Sequence, residues 1–213
     1  PKTAWPPTLQ QTERYPFIKF KVPSEVKQLR KDAIENRLRI ENTAKELFEI
    51  YGVENTSMNR ISKELGIGMG TLYRHFEDKS ALCYKLIEND FDRLFKEMDY
   101  AEQNNQITNY EKFGIYLELF IDFKSKHLDT LNCVEKKEFH GDFRDTPTFQ
   151  KLSKKFWNTF DNEESPEWKT FKTDMLLYAL STKSYQYQVD KRGLNNEQLK
   201  QFLQNLFNMT EDF

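Results

Sequence analysis

The chain has 213 residues, and 15% of them are aromatic, so it carries enough apolar surface to bury a core despite its polar average. Only seven glycines and seven prolines, with helical periodicity over most of the sequence, argue against an all-β fold. The net charge is −2, but residues 1–85 hold 15 Lys and Arg against 11 Asp and Glu, whereas the remainder holds 17 against 23. A basic N-terminal part joined to an acidic body favours a nucleic-acid partner for the basic part.

Cellular location follows from cysteine usage and hydropathy. Cys83 and Cys133 are the two cysteines, no signal peptide is evident, and no apolar run approaches the ~18 residues that a membrane span needs. We therefore expect a cytoplasmic protein with reduced thiols.

Residues 1–23 form an N-terminal arm in which five prolines interrupt any helix. The arm could lie on the protein, reach into a DNA groove or be mobile, and its sequence leaves these alternatives open.

Helical periodicity begins at Ser24 and continues to Tyr51, where Gly52 provides a stop. Apolar residues recur every three or four positions, and only Arg37 interrupts the series. Residues 24–35 either extend this helix or form a separate turn.

Two short amphipathic helices follow, joined by a glycine turn at residues 66–68. In the first, Met58, Ile61 and Leu65 share one face, which Thr56 or Ser57 can cap and Gly66 can end. In the second, Leu72 and Phe76 face inward and leave a polar face outward. This arrangement predicts a helix-turn-helix, whose second helix enters a DNA major groove.

Further helices are predicted over most of the remaining chain. Asp78 is a suitable cap for a long helix that ends in the polar run 102–106. The later helices are expected at residues 110–123, within 127–145, at 148–160, from Pro166 to about residue 187, and at 196–209. The fold class is therefore all-α with about nine helices.

The segments 44–52, 56–57, 61–66, 70–76 and 79–82 together resemble the tetracycline-repressor (TetR) family of bacterial regulators. The resemblance covers about a quarter of the chain. It implies an N-terminal helix-turn-helix DNA-binding domain, here residues 24–82, and a larger helical domain, residues 83–213, that binds a ligand and forms a homodimer.

The same resemblance implies which residues contact double-stranded operator DNA. Tyr73, His75 and Lys79, with Thr56 or Ser57, would contact phosphates. The residues expected to face the groove are Met69, Gly70, Thr71 and Arg74. The family commonly has Ser or Thr where this chain has Gly68, so the operator sequence does not follow.

Aromatic residues in the larger domain together suit a cavity for a lipophilic or aromatic small-molecule effector, although any one of them taken alone is more often plain core. The candidate lining residues are Phe91, Phe95, Met98, Phe113, Tyr116, Leu117, Phe120, His140, Phe143, Phe156, Trp157 and Tyr178. The candidate dimer contacts, placed on the last two predicted helices as a four-helix bundle, are Phe171, Met175, Phe202 and Leu206.

Other chemistries find little support. The spacing of His127, Cys133 and His140 fits no metal-ligand pattern, and the glycines of residues 66–70 do not match a dinucleotide-binding loop. No nucleophile with a nearby base emerges, so the protein is predicted not to be an enzyme and to need no cofactor.

The sequence thus predicts a ligand-responsive transcription regulator, acting as a repressor released from a pseudo-palindromic operator. Two alternatives remain: a helical protein-interaction module that uses residues 1–23 as a docking peptide, and a small-molecule-modifying enzyme. Salt-sensitive binding to duplex DNA distinguishes the regulator from both.

Overall fold

The computed structural model describes residues 24–135 and 145–207, with residues 24–30 described by their backbone alone. All regular structure in these ranges is helical, which confirms the all-α prediction. The ten helices are α1 Ser24–Tyr51, α2 Met58–Leu65, α3 Met69–His75, α4 Lys79–Gln103, α5 Asn109–Lys126, α6 Leu128–Glu135, α7 Pro147–Trp157, α8 Pro166–Ala179, α9 Thr182–Asp190 and α10 Asn196–Phe207. The predicted arm of residues 1–23 lies outside the described residues. The boundary between the two units of the chain lies between residues 36 and 37, within α1.

The first helix runs without interruption through the region where the sequence allowed a separate turn. It ends at Gly52, whose φ of 80° is in the left-handed region and whose N–H donates to the Phe48 carbonyl at 2.9 Å. Arg37, which interrupts the apolar series, places its guanidinium 4.7 Å from the centre of the Phe76 ring. A cation over an aromatic face explains how this position remains compatible with packing.

Several helix boundaries were predicted correctly from local chemistry. The Asp78 carboxylate accepts the Ala81 N–H at 2.7 Å and begins α4, and Pro166 is the first residue of α8. The helix predicted at 148–160 ends earlier, at Trp157, and Phe160 is buried in the loop that follows.

The long helix predicted over residues 166–187 is wrong, because this segment forms α8 and α9. Ser181 begins α9, and its hydroxyl oxygen accepts the Ser184 N–H at 3.4 Å. From α6, the Glu135 carboxylate accepts the Thr182 N–H at 2.9 Å. A carboxylate at a helix N-terminus is favourable, so this contact from a distant segment stabilises the new start.

The two larger hydrophobic clusters of the described residues organise the fold. The smaller one, which we call the HTH core, joins α1–α4 through Ile40, Ala44, Leu47, Met58, Ile61, Leu72, Phe76 and Leu82. The larger one, which we call the C-terminal core, extends from Ile87 to Phe207. The division lies within α4, close to the predicted domain boundary at residues 82 and 83, which stays a prediction.

Within the C-terminal core, α4 packs against α5 and α6, and α5 packs against α10. Gly114 lies where α5 meets α10, and a Cβ at this position would be 2.8 Å from the Gln204 side-chain nitrogen. The missing side chain therefore permits the close approach of these two helices.

Candidate nucleic-acid interface

The first helix of the motif, α2, is closed at both ends by its own sequence. The Ser57 hydroxyl oxygen accepts the Arg60 N–H at 3.2 Å, so Ser57 is the cap. Gly66 adopts φ 65° and donates its N–H to the Lys63 carbonyl at 3.1 Å. The chain can therefore turn sharply into α3 without strain, because glycine has no Cβ to oppose a positive φ.

The second helix, α3, is held by two side chains that enter the HTH core. Leu72 and Phe76 are buried, as predicted for these positions. Leu72 lies on the side of α3 that faces the core, and Phe76 follows the last residue of the helix in an extended conformation, so the two side chains anchor the middle and the C-terminal end of α3. The opposite side of the helix is consequently turned away from the core.

That opposite side carries most of the predicted DNA-reading residues. Tyr73 is 47% exposed, and Gly70 and Arg74 are exposed as well. Thr71 and His75 are half-buried. The Arg74 guanidinium donates to the Thr71 hydroxyl at 3.0 Å, which orients both side chains along the same face. With Met69, six of the nine predicted residues lie on this one short helix.

Thr56 and Lys79 are placed differently from their predicted roles at phosphates. Thr56 is fully buried, and its hydroxyl lies 2.9 Å from the Gly52 carbonyl and 3.2 Å from the Leu47 carbonyl. The Lys79 ammonium donates to the Val53 carbonyl. Both side chains therefore hold the end of α1 and the following loop, and their contact with DNA stays a prediction.

Met69 was expected to face the groove. Its sulfur accepts a hydrogen bond from the Ser62 hydroxyl at 3.0 Å, and the side chain is half-buried against the HTH core. This contact joins α2 to α3, so Met69 helps to fix the angle between the two helices.

Arg60 is a cation near the motif that the sequence did not single out. Its guanidinium lies 3.4 Å from the centre of the Tyr51 ring, at the end of α1. No local sequence pattern indicated this contact, because the two residues are nine positions apart and lie on different helices. Lys63, also on α2, is exposed.

Most of the predicted ligand-lining residues are packed against one another in the C-terminal core. The buried ones are Phe91, Phe95, Met98, Phe113, Tyr116, Leu117, Phe120 and Phe156. Phe113 and Phe156 lie 5.9 Å apart between ring centres, in an edge-to-face arrangement. Trp157 is half-buried beneath the Lys169 ammonium, at 3.9 Å, and Tyr178 is 74% exposed on α8. His140 and Phe143 lie outside the described residues.

The polar handle predicted at Tyr116 already has a partner. Its hydroxyl donates to the Met98 carbonyl at 3.3 Å, and burial raises the pKa of this phenol. Nearby, the Lys155 ammonium pairs with Asp99 at 2.5 Å and with Glu102. The core is therefore closed on this side by a satisfied group of polar side chains.

A separate surface groove of about 500 Å³ runs between α4 and α5. Apolar residues Ala101, Ile107, Ile115 and Leu119 line it, with Arg93, Lys96, Glu97, Tyr100 and Asn104. Of the predicted ligand-lining residues that the structure describes, none belongs to this groove.

The predicted dimer contacts lie on α8 and α10, which pack against each other. Phe171, Met175, Phe202 and Leu206 are all exposed, and Trp168 stacks on Phe171 with 5.6 Å between ring centres. So many large apolar side chains on two adjacent helices form a surface of the kind that another protein covers.

A compact helix-turn-helix with a polar, outward-facing second helix places the chain in the class of DNA-binding transcription regulators. Residues 40–83 match the family described as bacterial regulatory proteins, tetR family. The chain is 42% identical over 179 residues to an HTH-type transcriptional regulator of Staphylococcus aureus strain MRSA252, covering 84% of this chain and 96% of that protein. A regulator of strain USA300 is 41% identical over the same coverage. The chain therefore belongs to the tetR family, and these relatives are regulators rather than enzymes.

Solved structures with low sequence identity share the fold. A TetR/AcrR-family regulator from Thermobifida fusca aligns with a TM-score of 0.53 at 17% identity, over 80% of this chain and 97% of that one. The TetR-family regulator PfmR from Thermus thermophilus aligns with a TM-score of 0.54 at 14% identity, over 82% of this chain and 99% of that one. Among the residues described here, no helix is both long and apolar enough to cross a membrane.

Proposed function

We propose that the protein is a homodimeric repressor that leaves a pseudo-palindromic operator when a small lipophilic or aromatic molecule binds its C-terminal domain. The observation that carries the DNA-binding part is the exposed face of α3, formed by Tyr73 and Arg74 and held in place by buried Leu72 and Phe76. A rigid helix with donors on its outer side can enter a major groove without reorganising.

On this helix we assign different roles to the exposed groups. The Tyr73 hydroxyl and the His75 ring contact phosphates, with the Ser57 region at the start of α2. Arg74 reaches a base edge or a phosphate, and the hydrogen bond that its guanidinium donates to the Thr71 hydroxyl holds it in position. Gly70 has no atom within 4 Å of the position that a Cβ would take, so DNA backbone can approach it closely.

The dimer is supported by the exposed apolar surface of α8 and α10. Two copies of this pair would form a four-helix bundle and bury the side chains of Phe171, Met175, Phe202 and Leu206. Tyr178, which is exposed on α8, belongs more naturally to this surface than to a ligand cavity. A symmetric dimer would present its two α3 helices to successive half-sites about 34–36 Å apart.

The ligand response is supported by the aromatic composition of the C-terminal core. Phe91 and Phe123 approach within 4.4 Å between ring centres, and Phe120 lies 6.3 Å from Phe123. A flat ligand inserted among these rings exchanges one set of aromatic contacts for another. Because α4 extends from the HTH core into the C-terminal core, displacement of its buried side would change the spacing of the two recognition helices.

Binding to duplex fragments enriched from the source genome tests the DNA-binding assignment. We expect Tyr73→Ala and Arg74→Ala each to weaken binding by about 10- to 150-fold, since one charge-assisted contact contributes about 1.5–3 kcal/mol. Tyr100→Ala and Arg93→Ala are matched controls, because they remove the same residue types from the exposed side of α4. Equal affinities of all four variants would show that α3 is not the reading helix.

The ligand response needs a separate measurement on the same fragments. A lipophilic aromatic compound that raises the melting temperature of the free protein should release it from DNA. Compounds that stabilise the protein without changing its DNA affinity would contradict the proposed response while leaving the DNA-binding role intact.

A further inference from the structure

The two cysteines of the chain lie side by side although 50 positions separate them in sequence. Cys83 is in the second turn of α4 and is fully buried, whereas Cys133 on α6 is half-buried. Cys133 packs against the buried cluster that contains Cys83, and neither sulfur is in a disulfide. With only two cysteines in the sequence, no other intramolecular disulfide is possible.

This pair lies at a junction of the molecule. Val53, Cys83 and Val134 form a small buried cluster in which the loop after α1 meets α4 and α6. The Ser80 hydroxyl also donates to the Val134 carbonyl, at 3.3 Å. Val53 thus packs at the point where α6 meets α4, and it lies four residues before the Ser57 cap of α2.

We propose that Cys83 and Cys133 form an oxidisable dithiol, and that peroxide converts it to a disulfide that lowers the affinity of the protein for DNA. The second part of this statement rests on the proposed DNA-binding function. The first part, formation of the disulfide, is independent of it.

The half-buried Cys133 is the thiol that reacts with peroxide. The hydrogen bond with Cys133 and burial both hold the pKa of Cys83 far above its ordinary value, so Cys83 stays protonated. The Cys133 thiolate attacks one oxygen of hydrogen peroxide and the O–O bond breaks. Sulfur is thereby oxidised to a sulfenic acid, and the departing hydroxide takes up the proton that the Cys133 thiol released, forming water.

The buried partner then resolves this intermediate. The Cys83 sulfur attacks the Cys133 sulfur, the S–O bond breaks, and the Cys83 proton leaves with the hydroxide as a second water. In total, two thiols and one peroxide give one disulfide and two waters. The existing contact between the two side chains permits this second step without unfolding of either helix.

Disulfide formation changes the packing at the junction. The S–S bond length is about 2.05 Å, much shorter than a hydrogen-bonded contact between two sulfurs, so α6 is drawn toward α4. Val134, adjacent to Cys133, must then repack against Val53. Because packed interfaces shift between discrete arrangements, this repacking alters the position of the loop that leads into the helix-turn-helix.

Thiol titration of the full-length protein tests the chemical step. After treatment with hydrogen peroxide and denaturation, we expect both thiols to be lost and then recovered with a dithiol reductant. Peptide mass spectrometry should find residues 83 and 133 joined within one chain, with the loss of two hydrogen atoms. Retained thiols, a disulfide between chains, or Cys133 oxidised to a sulfinic acid would each overturn the proposal.

DNA binding tests the regulatory step on the same samples. Oxidation should lower the affinity for enriched duplex fragments by about tenfold, within the usual range of coupling between sites. Cys133→Ser, at the more accessible position, should bind DNA as the reduced protein does, and peroxide should not change its affinity. Cys83→Ala is a second variant that cannot form the disulfide, and alanine is used there because it places no hydroxyl in the buried cluster. A disulfide that leaves DNA affinity unchanged would overturn the regulatory step. If the reduced protein does not bind duplex DNA, the proposed function fails together with the regulatory step. Thiol titration still tests whether Cys83 and Cys133 form a disulfide.

Discussion

Replacement of Phe156 with alanine removes a ring from the middle of the C-terminal core. Phe156 is fully buried, and its ring centre lies 5.9 Å from that of Phe113, 6.1 Å from that of Tyr116 and 6.4 Å from that of Phe120. The variant loses the transfer free energy of the ring and leaves a cavity bordered by three aromatic side chains that cannot all collapse into it.

For a fully buried phenylalanine this change lowers the free energy of unfolding by about 3–5 kcal/mol. In a chain of this length each kcal/mol corresponds to about 2–4 °C, so the melting temperature should fall by about 6–20 °C. Urea and thermal unfolding followed by circular dichroism, at one fixed protein concentration, measure both quantities.

The matched control is Tyr178→Ala, which removes an aromatic ring that is 74% exposed. At a protein concentration where the chain is monomeric, this change should alter stability by about 0.5 kcal/mol or less. A loss below about 1 kcal/mol for Phe156→Ala would refute the reasoning, because it would mean that this ring borders open space rather than close-packed neighbours.

Three further changes test other parts of the molecule. Lys79→Met removes the ammonium that donates to the Val53 carbonyl, so DNA affinity should fall, and an unchanged affinity would contradict a role for Lys79 at this site. A phosphate contact of Lys79 would in addition reduce the slope of log affinity against log salt by about 0.9. Phe202→Glu places a charge on a side chain that is 56% exposed on α10, so sedimentation should detect monomers. The control variant Tyr100→Glu, on the exposed side of α4, should remain dimeric. An unchanged dimer in both variants would exclude the α8–α10 surface as the dimer interface. Burial lowers the pKa of His127 more than the nearby Asp90 carboxylate raises it. Because the unfolded state then binds more protons, the free energy of unfolding should decline as pH falls below about 6.5. In His127→Gln this decline should be smaller, and an equal decline would mean that other groups cause it.

The helix-turn-helix could be predicted closely because its information is local. Ser57, Gly66 and Asp78 act on N–H and carbonyl groups within a few residues, and the inward position of Leu72 follows from helical spacing alone. Such features persist in any tertiary context that keeps the segment helical.

The outcome was different where residue type suggested a function but neighbours determined the position. Thr56 has a hydroxyl suited to a phosphate, yet this hydroxyl lies between two backbone carbonyls at the end of α1. Tyr178 has the chemistry of a ligand-binding side chain but lies on an exposed face. Helical periodicity cannot distinguish a core stripe from an uncovered stripe, since both repeat every three or four residues.

By itself, the sequence determined the all-helical fold, the helix-turn-helix and the family, because caps, glycine turns and apolar spacing operate over a few residues. Only the tertiary structure decided that residues 166–187 form two helices, because Glu135 reaches the start of α9 from another helix. It likewise decided that Cys83 and Cys133 touch. Contacts between distant segments depend on how whole helices pack, and no local pattern records that packing.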